Sequence, residues 1–220
     1  AQGRTRMIWA DDDPATWRAA LDKYPRVIEA QGVNRLSELD RWCREELPAL
    51  ISGRTPAYVT LDELVRATEW KMKRGVWRQR NLLLVRSNSP ETVEETSRDA
   101  LARIPDSLAP IRTLARLAGV GPATASAIAA AAAPGVYPFF DDLVARQVPG
   151  LGPVDFSVKY YAGYAEALRD RARRLDGDWT PTTVERALWA FAGGKASGQT
   201  SDQTLDHERR ESERENSRKP

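Results

Sequence analysis

The sequence predicts an all-α protein, and three features of the 220-residue chain support this fold class. Apolar residues recur at helical spacing in many segments, for example at Leu36, Leu39, Cys43 and Leu47. No segment shows the sustained alternation of apolar and polar residues that is typical of half-buried strands. Short connections that contain proline or glycine separate the predicted helices. A hydrophobic fraction of 41% and a charged fraction of 29% are typical of a globular domain with a substantial core.

The first helices are predicted from their capping residues. Asp13 is a favourable N-cap for a helix that begins at Pro14, because the N–H that proline lacks would have no partner at this position. Asn34 is the predicted cap of the next helix. Pro48 and the segment 53–56 then predict a break in the helical structure.

The central and C-terminal helices are predicted by the same rules. Thr60 and Glu63 form a predicted capping box for a helix that ends near Met72. Ser89 precedes a proline and predicts the start of a helix that ends at Leu101. The remaining predicted helices are two apolar helices on either side of the glycines at 119 and 121, and the segments 140–147, 155–175 and 181–192.

The C-terminal segment 195–220 differs in composition from the rest of the chain. It contains no aromatic residue, one large aliphatic residue (Leu205), six basic residues and six acidic residues. Such a segment buries too little apolar surface to offset its loss of conformational entropy on folding. The sequence therefore predicts a disordered C-terminal tail.

The scarcity of histidine and cysteine excludes several classes of chemistry within one chain. The chain has one histidine, His207 in the predicted tail, and one cysteine, Cys43. A Cys₄ or Cys₂His₂ zinc site and a cysteine-ligated iron–sulfur cluster each need four ligands, and an intrachain disulfide needs two cysteines. We therefore expect neither zinc nor an iron–sulfur cluster, and chemistry carried by carboxylates, lysine, tyrosine, backbone groups or water.

The sequence contains no stretch of about 18 apolar residues, so no membrane span is expected. A single cysteine fits a reducing compartment, so an intracellular location is expected, nuclear in a eukaryote and otherwise cytoplasmic.

Positive charge is concentrated in one segment. The segment 66–86 has seven basic residues and one acidic residue, a net charge of +6, whereas the whole chain has +2. A concentrated basic patch is the electrostatic feature expected of a nucleic-acid-binding protein. Trp70 and Trp77 lie within this segment and are candidates for stacking on bases. The alternative is a solvated basic face with both tryptophans in the core.

A glycine turn between two apolar helices is the most informative motif. Gly119, Val120 and Gly121 form the turn, and Pro122 suits the first position of the outgoing helix. Free N–H groups and the helix dipole make such a helix start an anion site, which suits a nucleic-acid phosphate. The alternative is a tightly packed helical hairpin without a ligand.

The sequence from Leu117 to Ala125 resembles the Leu-Pro-Gly-Val-Gly-x-x-Thr-Ala hairpin of the helix-hairpin-helix DNA glycosylase (HhH-GPD) superfamily. The resemblance implies an all-α, two-lobed fold, with residues 1–56 and 149–194 in one lobe and residues 57–148 in the other. It also implies that the hairpin binds a DNA phosphate through residues 119–121 and Thr124, and that the backbone of Gly119 and Gly121 binds K⁺ or Na⁺.

The same resemblance implies the catalytic residues. Asp141 matches the catalytic aspartate of the superfamily, Asp142 is a second choice, and Arg146 lies at the offset of the superfamily's arginine. Phe139 and Phe140 would raise the pKa of the carboxylate by desolvation or wedge beside a flipped base. The alternative role of either aspartate is to cap the helix that begins there.

The segment from 60 to about 78 lies where the superfamily has its base-flipping segment. The resemblance therefore makes its polar and aromatic residues candidates for DNA and pocket contacts. These candidates are Glu69, Trp70, Lys71, Lys73, Arg74, Trp77 and Arg78.

The chain departs from the superfamily pattern at three points. Ala123 replaces the lysine of the lyase members, the histidine of the Val-Asp-Thr-His segment is absent, and the four-cysteine cluster cannot form. The resemblance thus implies a monofunctional glycosylase that binds duplex DNA and excises a damaged or modified base by hydrolysis of the N-glycosidic bond. We also expect the protein to be a monomer. The alternatives are a non-catalytic nucleic-acid-binding module and a helical protein-interaction domain.

Overall fold

The computed structural model describes residues 7–195, which form helices and no strand. This confirms the all-α prediction for the described part of the chain. The elements are a 3₁₀ helix Ile8–Ala10, α1 Pro14–Asp22, α2 Tyr24–Ala30, α3 Leu36–Arg41, a π turn Trp42–Glu46, α4 Leu47–Ser52, α5 Leu61–Arg74, α6 Gln79–Arg86, α7 Pro90–Leu101, α8 Ala109–Leu114, α9 Pro122–Ala132, α10 Asp142–Ala145, α11 Val158–Leu175 and α12 Pro181–Phe191.

Several helices begin as their local sequence predicts. The Asp13 side chain accepts a hydrogen bond from the Ala15 N–H at 2.9 Å at the start of α1. Thr60 and Glu63 form the reciprocal capping box of α5. The Ser89 side chain caps α7, which has the predicted bounds. Capping depends on groups a few residues apart, so the sequence alone indicates it.

Two local predictions are wrong. Asn34 does not cap α3, because the residue before α3 is Arg35, which has a left-handed backbone (φ 65°) and no side-chain cap. Pro48 does not break the helical structure either. The π turn before α4 lets the Leu47 N–H bond to the Trp42 carbonyl, and Pro48 then lies in the first turn of α4, where its missing N–H is tolerated.

Two helices make most of the packing contacts. Helix α12 contacts α1, α2, α10 and α11, whereas α5 contacts α3, α6, α7 and α9. The hairpin helices α8 and α9 contact each other, and α8 also packs on α7. Because α9 is made mostly of alanine and is buried over most of its length, α4 and α5 can approach it closely.

The predicted tail at 195–220 lies outside the described residues except for its first member. Lys195 does not belong to a tail, because its ammonium group contacts the Asp142 carboxylate at 2.5 Å. Within residues 7–195, no helix is both long enough and apolar enough to cross a membrane.

Candidate functional site

A cavity of about 440 Å³ lies where the C-terminal end of α5 meets the N-terminal ends of α9 and α10. Residues from six parts of the chain line it: the end of α5 with the segment after it, Asn81 of α6, the start of α9, the segment 139–142, Phe156, and Lys195. Among the predicted site residues, it brings together Lys71, Arg78, Gly121, Thr124, Phe139, Phe140, Asp141 and Asp142.

Asp141 lies in the wall of this cavity and is 5% exposed. It is the N-cap of α10, and its Oδ1 accepts hydrogen bonds from the N–H groups of Leu143 (2.8 Å) and Val144 (3.1 Å). Both capping bonds end on Oδ1, so Oδ2 takes no part in the cap. Capping therefore uses one oxygen of this carboxylate, and the other oxygen is available to a ligand.

The segment before Asp141 is fixed from two sides. The Tyr164 hydroxyl of α11 donates to the Phe139 carbonyl at 2.6 Å. The Ser126 hydroxyl of α9 accepts from the Phe140 N–H at 2.8 Å and donates to the Ala123 carbonyl at 2.7 Å. A single hydroxyl thus connects the first turn of α9 to the peptide that precedes Asp141.

Asp142 has different surroundings. Its carboxylate forms ion pairs with Lys195 at 2.5 Å and with Arg146 at 3.1 Å. Burial opposes ionisation of Asp142, but the hydrogen bond and charge of Lys195, helped by Arg146, hold its pKa below the usual value. Arg146 is an exposed partner of Asp142 and does not line the cavity.

The four hairpin residues predicted to bind phosphate divide into two pairs. Gly119 (φ 74°) lies against α6, where a Cβ would come within 2.7 Å of the Asn81 carbonyl oxygen and 2.8 Å of the Val85 nitrogen. The Val120 N–H already donates to the Leu117 carbonyl at 3.2 Å. Neither of these two residues lines the cavity, so phosphate binding by Gly119 and Val120 stays a prediction.

The other two hairpin residues line the cavity. Gly121 precedes α9, offers no side-chain cap, and has open space where a Cβ would lie. The Thr124 side chain in the first turn of α9 is fully buried, and its hydroxyl has no hydrogen-bond partner among the described residues. An unpartnered buried hydroxyl beside free helix N–H groups is an arrangement that a bound anion would satisfy.

Two cationic side chains come from the basic segment. Lys71 of α5 and Arg78 just before α6 both line the cavity. Burial, together with the positive charge of Arg78, lowers the pKa of Lys71 below the usual lysine value. The cavity therefore combines positive charge on one wall with the Asp141 carboxylate on another.

Arg74 was predicted as a candidate for DNA or pocket contacts, but the structure places it in the core. It is 2% exposed and ion-pairs with Glu185 of α12. Its guanidinium lies 4.5–5.7 Å from the rings of four buried aromatic residues: Tyr24, Trp70, Phe139 and Trp189. Burial raises the pKa of Glu185, and the charge of Asp141 adds to this increase, whereas Arg74 opposes it.

Three further residues that were predicted to contact DNA or the pocket lie outside the cavity, and each is bonded to another residue of the chain. Trp70 is buried, donates from Nε1 to Asp40 at 3.1 Å, and packs its ring on Phe139. Glu69 pairs with Arg35 at 3.1 Å. Lys73 donates to the Asn34 carbonyl at 2.8 Å.

The aromatic residues near the site also differ from the prediction. Phe139 and Phe140 are buried, so neither projects as a wedge. Trp77 is exposed, bonds to Gln79 and does not line the cavity. The exposed ring in the cavity wall is Phe156, which packs against Phe140 at 4.9 Å.

Sequence reasoning missed several cavity residues. Phe156 was recognisable as an aromatic residue in a connection rich in glycine and proline. Asn81 and Lys195 carried no comparable signal, because only the folded chain brings them to the cavity. The K⁺ or Na⁺ ion expected at the hairpin stays a prediction.

Comparison with known proteins assigns the chain to no family. No protein-family model, no curated protein and no solved structure matches the chain.

Proposed function

We propose that this protein binds DNA and hydrolyses the N-glycosidic bond of a damaged or modified base held in the cavity. The observation that carries this proposal is that one cavity is lined by a buried carboxylate (Asp141), two cations (Lys71 and Arg78) and an open helix start (Gly121 and Thr124). The carboxylate suits the positive charge that develops on the sugar as its bond to the base breaks. The two cations and the helix start suit the negative charge of the DNA backbone.

The start of α9 is the proposed phosphate site. Helix α9 has 11 residues, and its first N–H groups and dipole favour an anion. The Thr124 hydroxyl can donate to a phosphate oxygen, which would give this buried group the partner that it lacks among the described residues. The positive charges of Lys71 and Arg78 favour the same ligand.

The size of the cavity suits one base. A volume of about 440 Å³ lies within the range of small-molecule sites, about 300–1,000 Å³. An enzyme that reacts at a base in a duplex extrudes the nucleotide into such a pocket. The exposed Phe156 ring and the apolar surface of Val76 offer stacking and packing to that base.

Asp141 is the proposed catalytic residue. As the bond between C1′ and the base nitrogen breaks, its carboxylate stabilises the positive charge that develops on the sugar. The same carboxylate orients a water and accepts its proton as the new C1′–O bond forms, while the departing base takes up a proton at nitrogen. Phe139 and Phe140 limit solvent around the carboxylate, which strengthens its electrostatic effect.

The packing of the helices is compatible with the two-lobed arrangement in this proposal. One set of helices contacts α12 and another contacts α5, and the cavity lies on the α5 side, next to α10. A nucleus or cytoplasm as the compartment is part of the same proposal.

The decisive experiment measures base release by the Asp141→Asn variant. Duplexes that contain uracil, hypoxanthine, an alkylated base or an oxidised base are the substrates, under single-turnover conditions. Asparagine caps helices as well as aspartate does, so the fold should be retained. We expect release to fall by about 10²-fold or more, because only the charge is lost. Asp13→Asn, the same change at the cap of α1, is the matched control.

Two results would contradict the enzymatic proposal. If Asp141→Asn releases the base at the wild-type rate, Asp141 is not catalytic. If the wild-type protein binds DNA but releases no base, the function is non-catalytic binding. The capping role of Asp141 favours this second candidate function. If it is correct, Gly121→Phe and added salt should weaken DNA binding, whereas Asp141→Asn should not. Failure to bind nucleic acid at low salt would leave a helical protein-interaction domain.

A further inference from the structure

We infer that a second cavity of this protein binds a small aromatic carboxylate. The cavity has a volume of about 300 Å³ and lies between the C-terminal end of α5, the second half of α9, the first turns of α12 and the π turn. Phe139 lines this second cavity as well as the cavity that contains Asp141, so the two cavities share part of a wall. The inference depends neither on DNA binding nor on base excision.

The first support is an unused donor on a buried guanidinium. Arg74 lines the second cavity and is 2% exposed. Its two Nη atoms donate to the Glu185 carboxylate, whereas its Nε is buried and has no hydrogen-bond partner among the described residues. A buried N–H without a partner is costly, and a ligand oxygen that accepts from this Nε would remove the cost.

The second support is an uncompensated positive charge in the cavity lining. Arg74 pairs with Glu185, and Arg44 pairs with Asp40, so these two lining arginines have acidic partners. Arg186 of α12 also lines the cavity and is half-buried, but within residues 7–195 it has neither an ion pair nor a hydrogen bond. A carboxylate on the ligand supplies the negative charge that Arg186 lacks.

The two available arginine groups lie near the same part of the cavity. Burial raises the pKa of the Cys43 thiol, and the charges of Arg186 and Arg74 both oppose this increase. Burial also raises the pKa of Glu185, and the same two arginines again oppose the increase. Because charge interactions weaken with distance, both guanidinium groups lie close to Cys43 and Glu185, and one carboxylate can interact with both of them.

The rest of the lining suits an aromatic ring. The rings of Trp70 and Phe139 meet edge to face, with their centroids 4.7 Å apart, and both residues line the cavity. Helix α9 adds the methyl groups of three alanines, Ala127, Ala130 and Ala131. A volume of about 300 Å³ lies at the lower end of the range for small-molecule sites, which fits a ligand with one or two rings.

Titration calorimetry with three aromatic carboxylates, namely benzoate, phenylacetate and naphthoate, tests the inference. We expect saturable binding of at least one of them to the full chain. The primary amide of that probe has nearly the same shape but no charge, so it should bind at least about 10-fold more weakly. If none of the three carboxylates binds, the cavity holds only water and the inference is wrong. Equal binding of the amide would also overturn it.

A pair of arginine variants shows which cavity holds the probe. Arg186→Gln removes the uncompensated charge of the second cavity, so we expect it to weaken binding by about 10-fold or more. Arg78→Gln is the matched control, because Arg78 lines the cavity of Asp141 instead. If Arg78→Gln weakens binding and Arg186→Gln does not, the probe binds beside Asp141 and the inference is wrong.

A pair of alanine variants tests the volume of the cavity without changing any charge. Ala131→Leu places a larger side chain in the second cavity and should abolish binding of the probe. Ala132→Leu is the matched control on the same helix, because Ala132 does not line the cavity. Undiminished binding by a folded Ala131→Leu variant, with folding checked by circular dichroism, would contradict the inference. No DNA is present in these experiments, so their outcome is independent of the proposed function.

Discussion

Lys71 and Arg74 lie one turn apart on α5, yet the protein uses their positive charges differently. Arg74 is buried against four aromatic rings and ion-pairs with Glu185, so its charge is compensated inside the core. Lys71 lines the cavity, and the described part of the chain supplies no acidic partner for it. Removing the partner of a buried charge is strongly destabilising, whereas an unpaired, partly buried charge costs stability by itself, so the presence of Lys71 in the cavity wall is consistent with the ligand role proposed above.

Removing the buried charge should have the largest effect on stability. In the Arg74→Met variant, Glu185 would be left without its partner in the core, and we expect a loss of about 3–5 kcal/mol in the free energy of unfolding. Urea unfolding followed by circular dichroism measures this loss. Lys71→Met is the matched control and should leave stability unchanged or increased, because it removes an unpaired, partly buried charge. Equal losses in both variants would contradict the comparison.

The two glycines of the hairpin turn should show a smaller but similar contrast. Gly119→Ala would place a Cβ 2.7 Å from the Asn81 carbonyl oxygen on a backbone with φ 74°. We expect a loss of about 2 kcal/mol or more, from the left-handed conformation and the steric contact. Gly121→Ala should leave thermal unfolding nearly unchanged, because nothing lies near its Cβ position, but should weaken DNA binding. A stable Gly119→Ala variant would show that α6 can move away from the turn.

The cavity ion pair of Asp142 should give the smallest effect, visible as a dependence on pH. Its folded pKa lies below the usual value near 3.8, so the ion pair stabilises the fold above that pH. This contribution should disappear as the pH falls below about 3.8 and through the lowered pKa, and should amount to about 1 kcal/mol or less. The free energy of unfolding, measured from pH 6 to pH 2, should fall less steeply with decreasing pH in the Asp142→Asn variant than in the wild type. Parallel curves for the two proteins would contradict the assignment.

What the sequence predicts well is local. Thr60 with Glu63, and Ser89 before its proline, start helices through bonds that span three residues, so their order in the chain is enough to indicate them. Pro48 shows the limit of this reasoning. A proline usually ends a helix, but the π turn before Pro48 shifts the backbone hydrogen bonds so that no donor is needed at this residue. The sequence gives no sign of that turn.

What the sequence could not predict depends on distant partners. Arg74 looked like its basic neighbours, and only Glu185, 111 residues further along the chain, makes it a core residue. Lys195 joined the predicted tail because its neighbours are polar, although Asp142 holds it at the cavity. Asp141 and the start of α9 were expected at one site through a resemblance, whereas Phe156 and Asn81 were found only in the folded chain.

The Ser126 hydroxyl joins two parts of the candidate site. It binds the first turn of α9 through the Ala123 carbonyl and the peptide before Asp141 through the Phe140 N–H. This hydroxyl, together with the bond from Tyr164 to the Phe139 carbonyl, holds the start of α9 and the Asp141 carboxylate in a fixed relation. Under the proposed function, a change at Ser126 would therefore alter the separation between the phosphate site and the catalytic carboxylate although Ser126 does not line the cavity.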